Sequence, residues 1–260
     1  MCLILIALGL HEGYPLVIAA NRDEFFGRPT QAASWDRQGQ VLCGRDLRAG
    51  GTWLGVTRNG RFAALTNYRE PRNYRPDAPS RGHLVMDFLY GDMAPHKYLA
   101  GLANHGNEYN GFNLFVADPN EFWFYSNRGK AARALEPGLY GASNATLDEP
   151  WPKLRRAKAR IPAMLDGNSD INPTNLMWLL LDTWQPPNED LPDTGVGIET
   201  EKKLAPIFVR GEDYGTRCST VILQSGAWTT QFHEATHTPQ RACDSVLEFS
   251  FDWADATGAV

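Results

Sequence analysis

Two unbroken apolar runs open the chain, residues 3–9 and 16–20, and the polar stretch between them carries His11-Glu12-Gly13-Tyr14-Pro15. Short β-branched-rich runs bounded by Gly and Pro predict two strands joined as a hairpin. A turn centred near Glu12-Gly13 pairs residues whose numbers sum to about 25, which sets Cys2 opposite Asp23 to within two positions of register. A second hairpin is predicted from Thr52–Thr57 and Arg61–Thr66 around Arg58-Asn59-Gly60, with Asn-Gly as its turn. Helical spacing follows over 82–90 and 95–104, then strands over 113–118 and 122–126. Helices are predicted over 151–165 and 173–184, the second opened by Asn172-Pro173, a cap followed by proline in the first turn. Strands return at 219–224, 228–234 and 246–251. Antiparallel strands and helices in separate blocks, with no repeat or break in composition, predict one α+β domain over 1–260, its sheets layered and covered by helices.

Composition narrows the functions this fold can serve. The formal charge of −5 and the lack of a basic run leave no field for nucleic acid. The first apolar run ends by Leu10 without preceding positive residues, too short and wrongly flanked for a signal peptide or a membrane span, so a cytoplasmic protein is expected. Cys2, Cys43, Cys218 and Cys243 are scattered without a C-x-x-C pair, which suits a reducing compartment and suggests no cysteine metal site.

Position 2 carries the most chemistry. Removal of Met1 would leave Cys2 with a free α-amine of ordinary pKa about 7.7–8.0 beside a thiol near 8.5, so one residue supplies both nucleophile and base. The competing reading is a small buried residue opening an apolar strand. In the polar cluster Asn21-Arg22-Asp23-Glu24 a guanidinium would favour the thiolate and a carboxylate would orient the amine. Against this stands a solvated strand end with Arg22 in a surface ion pair. Neighbouring strand residues face opposite ways, which favours Asp23 over Arg22 as the partner of Cys2. Asn67 and Asn144 each follow or end an apolar segment and could donate to a developing oxyanion, or could cap turns.

His233-Glu234-Ala235-Thr236-His237 matches H-E-x-x-H, but its surroundings read as strand and Pro239 follows closely, so zinc hydrolysis through His233 and His237 is the remote alternative. Gly50-Gly51 and Gly215 lack the spacing of a phosphate loop and read as tight backbone turns. The eight tryptophans read as core by default.

Met1-Cys2 before an apolar strand, then Ala20-Asn21-Arg22-Asp23-Glu24, Gly50-Gly51-Thr52-Trp53-Leu54-Gly55, Ala64-Leu65-Thr66-Asn67-Tyr68-Arg69, Ser143-Asn144-Ala145 with Pro150-Trp151-Pro152-Lys153, and Gly215-Thr216-Arg217 with Ser219-Thr220 together resemble the NRDE family, also called the transport and Golgi organisation protein 2 family. The resemblance spans nearly the whole chain in order. It implies an N-terminal-nucleophile (Ntn) hydrolase-like αββα sandwich of two mainly antiparallel sheets covered by helices, similar to choloylglycine hydrolases and penicillin V acylases. By the same resemblance Cys2, Asp23, Asn67 and Asn144 would be catalytic, with Arg22 and Arg217 on the substrate side. The acylases separate their early arginine and aspartate by two residues, whereas Arg22 and Asp23 are adjacent here. The resemblance further implies hydrolysis of a non-peptide amide or thioester with no required cofactor, and an acyl or other hydrophobic small molecule as partner. Its alternative is a non-enzymatic carrier or chaperone of haem, acyl-CoA or lipid, haem then being a transported ligand.

Overall fold

The computed structural model describes residues 3–166 and 170–253; Cys2 lies outside them. In chain order the elements are β1 (Leu3–Leu8), β2 (Leu16–Phe25), β3 (Thr30–Trp35), β4 (Val41–Asp46), β5 (Leu54–Thr57), β6 (Phe62–Asn67), α1 (Gly82–Tyr90) and α2 (Pro95–Ala103). There follow β7 (Phe112–Ala117), β8 (Phe122–Ser126), β9 (Arg133–Ala134), β10 (Gly138–Ala142), α3 (Pro152–Met164), α4 (Pro173–Leu180), α5 (Ile198–Leu204), β11 (Tyr214–Gln224), β12 (Thr229–Thr236) and β13 (Ser245–Asp252). One sheet has the order β10-β1-β2-β11-β12-β13 and the other runs β3 to β9 consecutively. Every described strand pair is antiparallel.

Strand alternation sorts the apolar side chains into three layers. Ile4, Ile6, Ile18, Ile222 and Phe232 of the first sheet meet Leu42, Val56, Phe62, Phe115 and Phe124 of the second in a core between the sheets. Leu3, Leu5, Val17, Ala19 and Val221 face the other way and pack under Leu154, Ile161, Leu176 and Leu179 of α3 and α4. Val41, Ala63, Leu65, Leu114 and Val116 bury the corresponding faces of α1 and α2, with Leu84, Phe88, Leu99 and Leu102. Unbroken apolar runs such as Leu3–Ala7 are thus strands covered on both faces. The result is helix, sheet, sheet, helix: the αββα sandwich that the resemblance implied.

Several elements differ from the sequence expectation. β2 continues through Asn21-Arg22-Asp23 to Phe25, because β11 pairs along its whole length and takes a bulge between Thr216 and Cys218. Arg22 and Asp23 are only 4% and 5% exposed, so the cluster is no solvated strand end. The β1–β2 pairs sum to 24, one less than the turn-centre value, with Leu3 opposite Asn21. β3, β4, β9, β10 and α5 complete the architecture and had no counterpart in the periodicity. α4 stops at Leu180, short of the expected 184. Gly50-Gly51 makes a close approach: Gly50 has φ 76°, and a Cβ on Gly51 would sit 2.6 Å from the Gly82 backbone carbon at the start of α1.

Candidate active site

Adjoining strands bring the candidate residues to one end of the first sheet. In the order β10-β1-β2-β11, Ile4 pairs with Ala142 on one side and Ala20 on the other, and Ala20 pairs with Thr220. One step towards the chain start, Leu3 pairs with Asn21 and Asn21 with Ser219; beyond them Arg22 pairs with Cys218. β10 ends at Ala142, so Ser143-Asn144 continue from it beside the start of β1.

Each polar side chain of this end has a defined partner. Thr216 Oγ1 donates to Asp23 Oδ1 at 2.7 Å and accepts from the Val209 N–H at 2.9 Å. Asn21 is fully buried; its Nδ2 donates to the carbonyls of Leu180 (2.8 Å) and Ile207 (2.9 Å), and its Oδ1 accepts from Ser219 Oγ at 2.6 Å. Ser219 Oγ lies 2.9 Å from His237 Nε2, while His237 Nδ1 accepts from the Cys243 N–H at 2.9 Å. That acceptor role puts the imidazole proton on Nε2, so the donors run Cys243 to His237 to Ser219 to Asn21 without a break. Helix α4, the 205–209 segment and the turn before β13 are thereby tied to the residue opposite Leu3.

Arg22 is buried and Arg217 half-buried, each with partners for its side chain in the fold. Arg22 Nη1 donates to Thr30 Oγ1 at 3.1 Å, its guanidinium lies 4.2 Å from the Trp53 ring centroid, and Glu24 and Asp46 flank it at 3.9 and 4.0 Å. Arg217, the bulge residue, donates through Nη1 to the carbonyls of Phe25 (2.9 Å), Phe26 (3.0 Å) and Arg28 (3.1 Å) and so holds the turn between β2 and β3. Burial, and then the proximity of Arg22, pulls the Arg217 pKa down.

Asn67 and Asn144 meet across the sheets. Asn144 Nδ2 donates to the Asn67 carbonyl at 2.9 Å, and both residues line a cleft of about 1040 Å³. Its walls also include Tyr68, Arg69, Glu70, Tyr74, Lys203 and the 209–214 segment with Phe25. Arg22, Asp23 and Arg217 do not line it. Arg69 binds Asn144 twice, through its backbone N–H to the Asn144 carbonyl (2.7 Å) and through Nη2 to Oδ1 (3.2 Å), and pairs with the buried Glu201 of α5 at 2.6 Å. Arg69, Glu201, Thr216 and Ser219 were given no role in the sequence, although Arg69, Thr216 and Ser219 lie within the quoted motifs; Asn21 was read only as part of the polar cluster, and His237 only as a zinc ligand.

His233 and His237 belong to an extended segment, not a helix. Four residues of strand separate them by about 13 Å, too far for one ion. His233 lies 3.5 Å from Glu248, and His237 is taken up by Ser219 and Cys243. Among the described residues no group of three or more His, Cys, Asp or Glu is placed to hold a metal.

The intervening Glu234 is buried between the sheets and accepts from the Ala33 N–H at 2.7 Å. Burial pushes its pKa up to about 7 against the opposing pull of that N–H and of Arg22, and burial pushes His237 down to about 4. The two act with opposite sign. Folded Glu234 holds its proton more tightly than the unfolded chain, so its contribution to stability falls as pH rises from about 4.5 to about 7. Unfolded His237 binds its proton more tightly than the folded chain, so its contribution rises between about pH 4 and 6.5. Each is worth at most about 3 kcal/mol, and they nearly cancel where they overlap. In urea denaturation between about pH 4.5 and 6.5 the stability of Glu234→Gln should rise with pH relative to the wild type and that of His237→Gln should fall relative to it; parallel profiles for all three would refute the assignment.

The fold and its site can be set beside known proteins. In sequence the chain is 39% identical over 229 residues to the Transport and Golgi organization 2 homolog of Mus musculus, covering 82% of this chain and 83% of that one. It is 28% identical over 257 residues to the Transport and Golgi organization protein 2 of Drosophila melanogaster, 87% of each. Among solved structures it is similar to a Caenorhabditis elegans N-acylethanolamine-hydrolyzing acid amidase ortholog (TM-score 0.51, 14% identity, 85% of this chain and 92% of that one). It is similar also to the C2A mutant of the conjugated bile acid hydrolase from Clostridium perfringens (TM-score 0.51, 8% identity, 97% of both chains). At these identities the structural likeness is one of fold, that of the Ntn hydrolases. The family profile described as Transport and Golgi organisation 2 matches residues 1–239, and the chain belongs to that family.

Proposed function

We propose that the protein, once Met1 is removed, is an N-terminal cysteine hydrolase of non-peptide amide or thioester bonds. The observation that carries the reading is the convergence of strand ends: Leu3, one peptide bond from Cys2, pairs with Asn21, two residues before Asp23, while Ser143-Asn144 continue from β10 beside the start of β1 and Asn144 lines the cleft with Asn67. Further support comes from the amidase and bile acid hydrolase of the same fold, in one of which the mutated residue is itself a cysteine at position 2.

In this reading the Cys2 α-amine takes the thiol proton and the thiolate attacks the acyl carbonyl carbon. Asp23, steadied by Thr216, orients the amine, and the amides of Asn67 and Asn144 donate to the oxyanion. Collapse breaks the C–N or C–S bond, the departing amine or thiol takes the proton from the ammonium, and a thioester remains on Cys2. The amine then deprotonates a water that hydrolyses this thioester, releasing the acid and restoring the thiol. Thiol and amine titrate as a coupled pair, so the pH–rate profile belongs to both.

A second reading, a carrier of acyl-CoA or haem, draws support from the cleft itself. It is large, carries the exposed aromatic rings of Phe25 and Tyr74, and has the exposed cations Lys203 and Arg210 in its wall. For haem, Tyr68, Tyr74 and Tyr214 are the lining side chains with axial-ligand chemistry. Equilibrium binding and turnover of acyl-CoA and haem, with wild type and Cys2→Ala, separate the two. The hydrolase reading expects acyl-CoA or amide turnover that Cys2→Ala abolishes while binding persists. Equal reversible binding by both proteins with no turnover favours the carrier.

A further inference from the structure

An asparagine amide helps or harms an oxyanion according to which end faces it, since Nδ2 donates and Oδ1 repels. Asn144 has that choice removed. Its Oδ1 accepts from Arg69 Nη2 at 3.2 Å, and a guanidinium has donors only, so Oδ1 must lie on the Arg69 side. Its Nδ2 donates one hydrogen to the Asn67 carbonyl at 2.9 Å, which leaves the second for a ligand in the cleft. Arg69 is itself immobilised: Nη1 donates to Glu201 Oε2 at 2.6 Å, and the guanidinium lies 5.1 Å from the Trp151 ring centroid. Glu201 is buried, and its other oxygen accepts from the Thr194 N–H (2.9 Å) and Thr194 Oγ1 (2.5 Å). The restraint therefore starts in the 194–204 segment, crosses to Arg69 and ends on the amide of Asn144.

We propose that Arg69 is a positioning residue that fixes the Asn144 amide with its free N–H towards the cleft, and that Glu201 holds Arg69 in place for this. The kinetic consequence rests on the acyl-transfer reading above; the orientation of the amide does not.

The test is a double-mutant cycle with p-nitrophenyl butyrate as acyl donor: wild type, Arg69→Met, Asn144→Ala and the double variant, repeated on Glu201→Gln so that no buried carboxylate is left unpaired. Arg69→Met should lower kcat by about 10²-fold, the loss of one oxyanion donor, with KM little moved, and should slow Asn144→Ala no further. Losses that multiply in the double variant would overturn the proposal, because they would mean that Arg69 acts other than through Asn144. The side-chain amide of Asn144, labelled with nitrogen-15 and assigned from its absence in Asn144→Ala, gives a readout independent of catalysis. In the wild type the proton bonded to the Asn67 carbonyl should exchange slowly with water and sit away from the shift of a solvated asparagine amide; in Arg69→Met two separate signals should persist, since the amide C–N bond rotates slowly, but both should move towards the solvated positions and exchange quickly with water. If the ester leaves the wild type unmodified, the acyl-transfer reading fails while this spectrum still decides the role of Arg69; an unchanged spectrum in Arg69→Met overturns it.

Discussion

Asn144→Ala is expected to slow acyl transfer by about 10²- to 10³-fold while leaving the fold intact. A donor aimed at a developing oxyanion acts chiefly in the transition state, so kcat and kcat/KM should fall together and KM should stay near its wild-type value. The donor here is one N–H of Nδ2, the other being held by the Asn67 carbonyl. Truncation leaves that carbonyl and Arg69 Nη2 each short of one partner, a stability cost of about 1–2 kcal/mol, which the Arg69–Glu201 pair at 2.6 Å survives. The check is steady-state kinetics beside a urea titration. A rise in KM at constant kcat would assign Asn144 to binding and remove it from the oxyanion site.

Asn21→Leu should have the largest effect on stability. The substitution nearly conserves volume, yet it strips the Leu180 and Ile207 carbonyls of their donors and Ser219 Oγ of its acceptor inside a fully buried site. Buried groups left unpaired cost about 1–3 kcal/mol apiece, so a loss of at least about 3 kcal/mol is expected, which corresponds to a fall in Tm of roughly 6–12 °C for a chain of this size. The same change unties α4 and the 205–209 segment from the residue that pairs with Leu3, so activity should fall even below the melting transition. Calorimetry of the variant decides it: a shift equivalent to less than about 1 kcal/mol would mean that these bonds add nothing to the fold.

Asn21 also illustrates what the sequence could and could not disclose. Apolar runs reveal a strand covered on both faces, so β1, β2, β6, β7, β8 and β11 were legible from their side chains. The end of β2 was not, because Asn21, Arg22 and Asp23 look like solvent-facing residues until β11 and the helical layer supply their partners. β10 was hidden by its own glycines: Gly141 reads as a turn residue, whereas it is small because Leu154 packs against it. β4 contains Gly44 for the same kind of reason, its missing side chain making room for the Trp53 ring. α5 is a short helix whose acidic start and basic end, Glu199 and Glu201 before Lys202 and Lys203, were the available signal after a Pro-rich loop. Within the site, Asn67 and Asn144 came from motif resemblance, and the structure places both on one cleft. Arg69 and Glu201 are 132 positions apart in the chain, and no local pattern announces that they meet. Arg22 and Arg217, expected on the substrate side, pack against Trp53 and bind the carbonyls of the turn after β2, respectively.

The central claim concerns Cys2, and intact-mass analysis of the purified protein after exposure to p-nitrophenyl butyrate tests it most directly. The proposed mechanism predicts a wild-type mass lacking Met1, a single added acyl group that peptide mapping places on Cys2 and that water slowly removes, and no adduct on Cys2→Ala. Retention of Met1, or acylation of equal extent in Cys2→Ala, would contradict it.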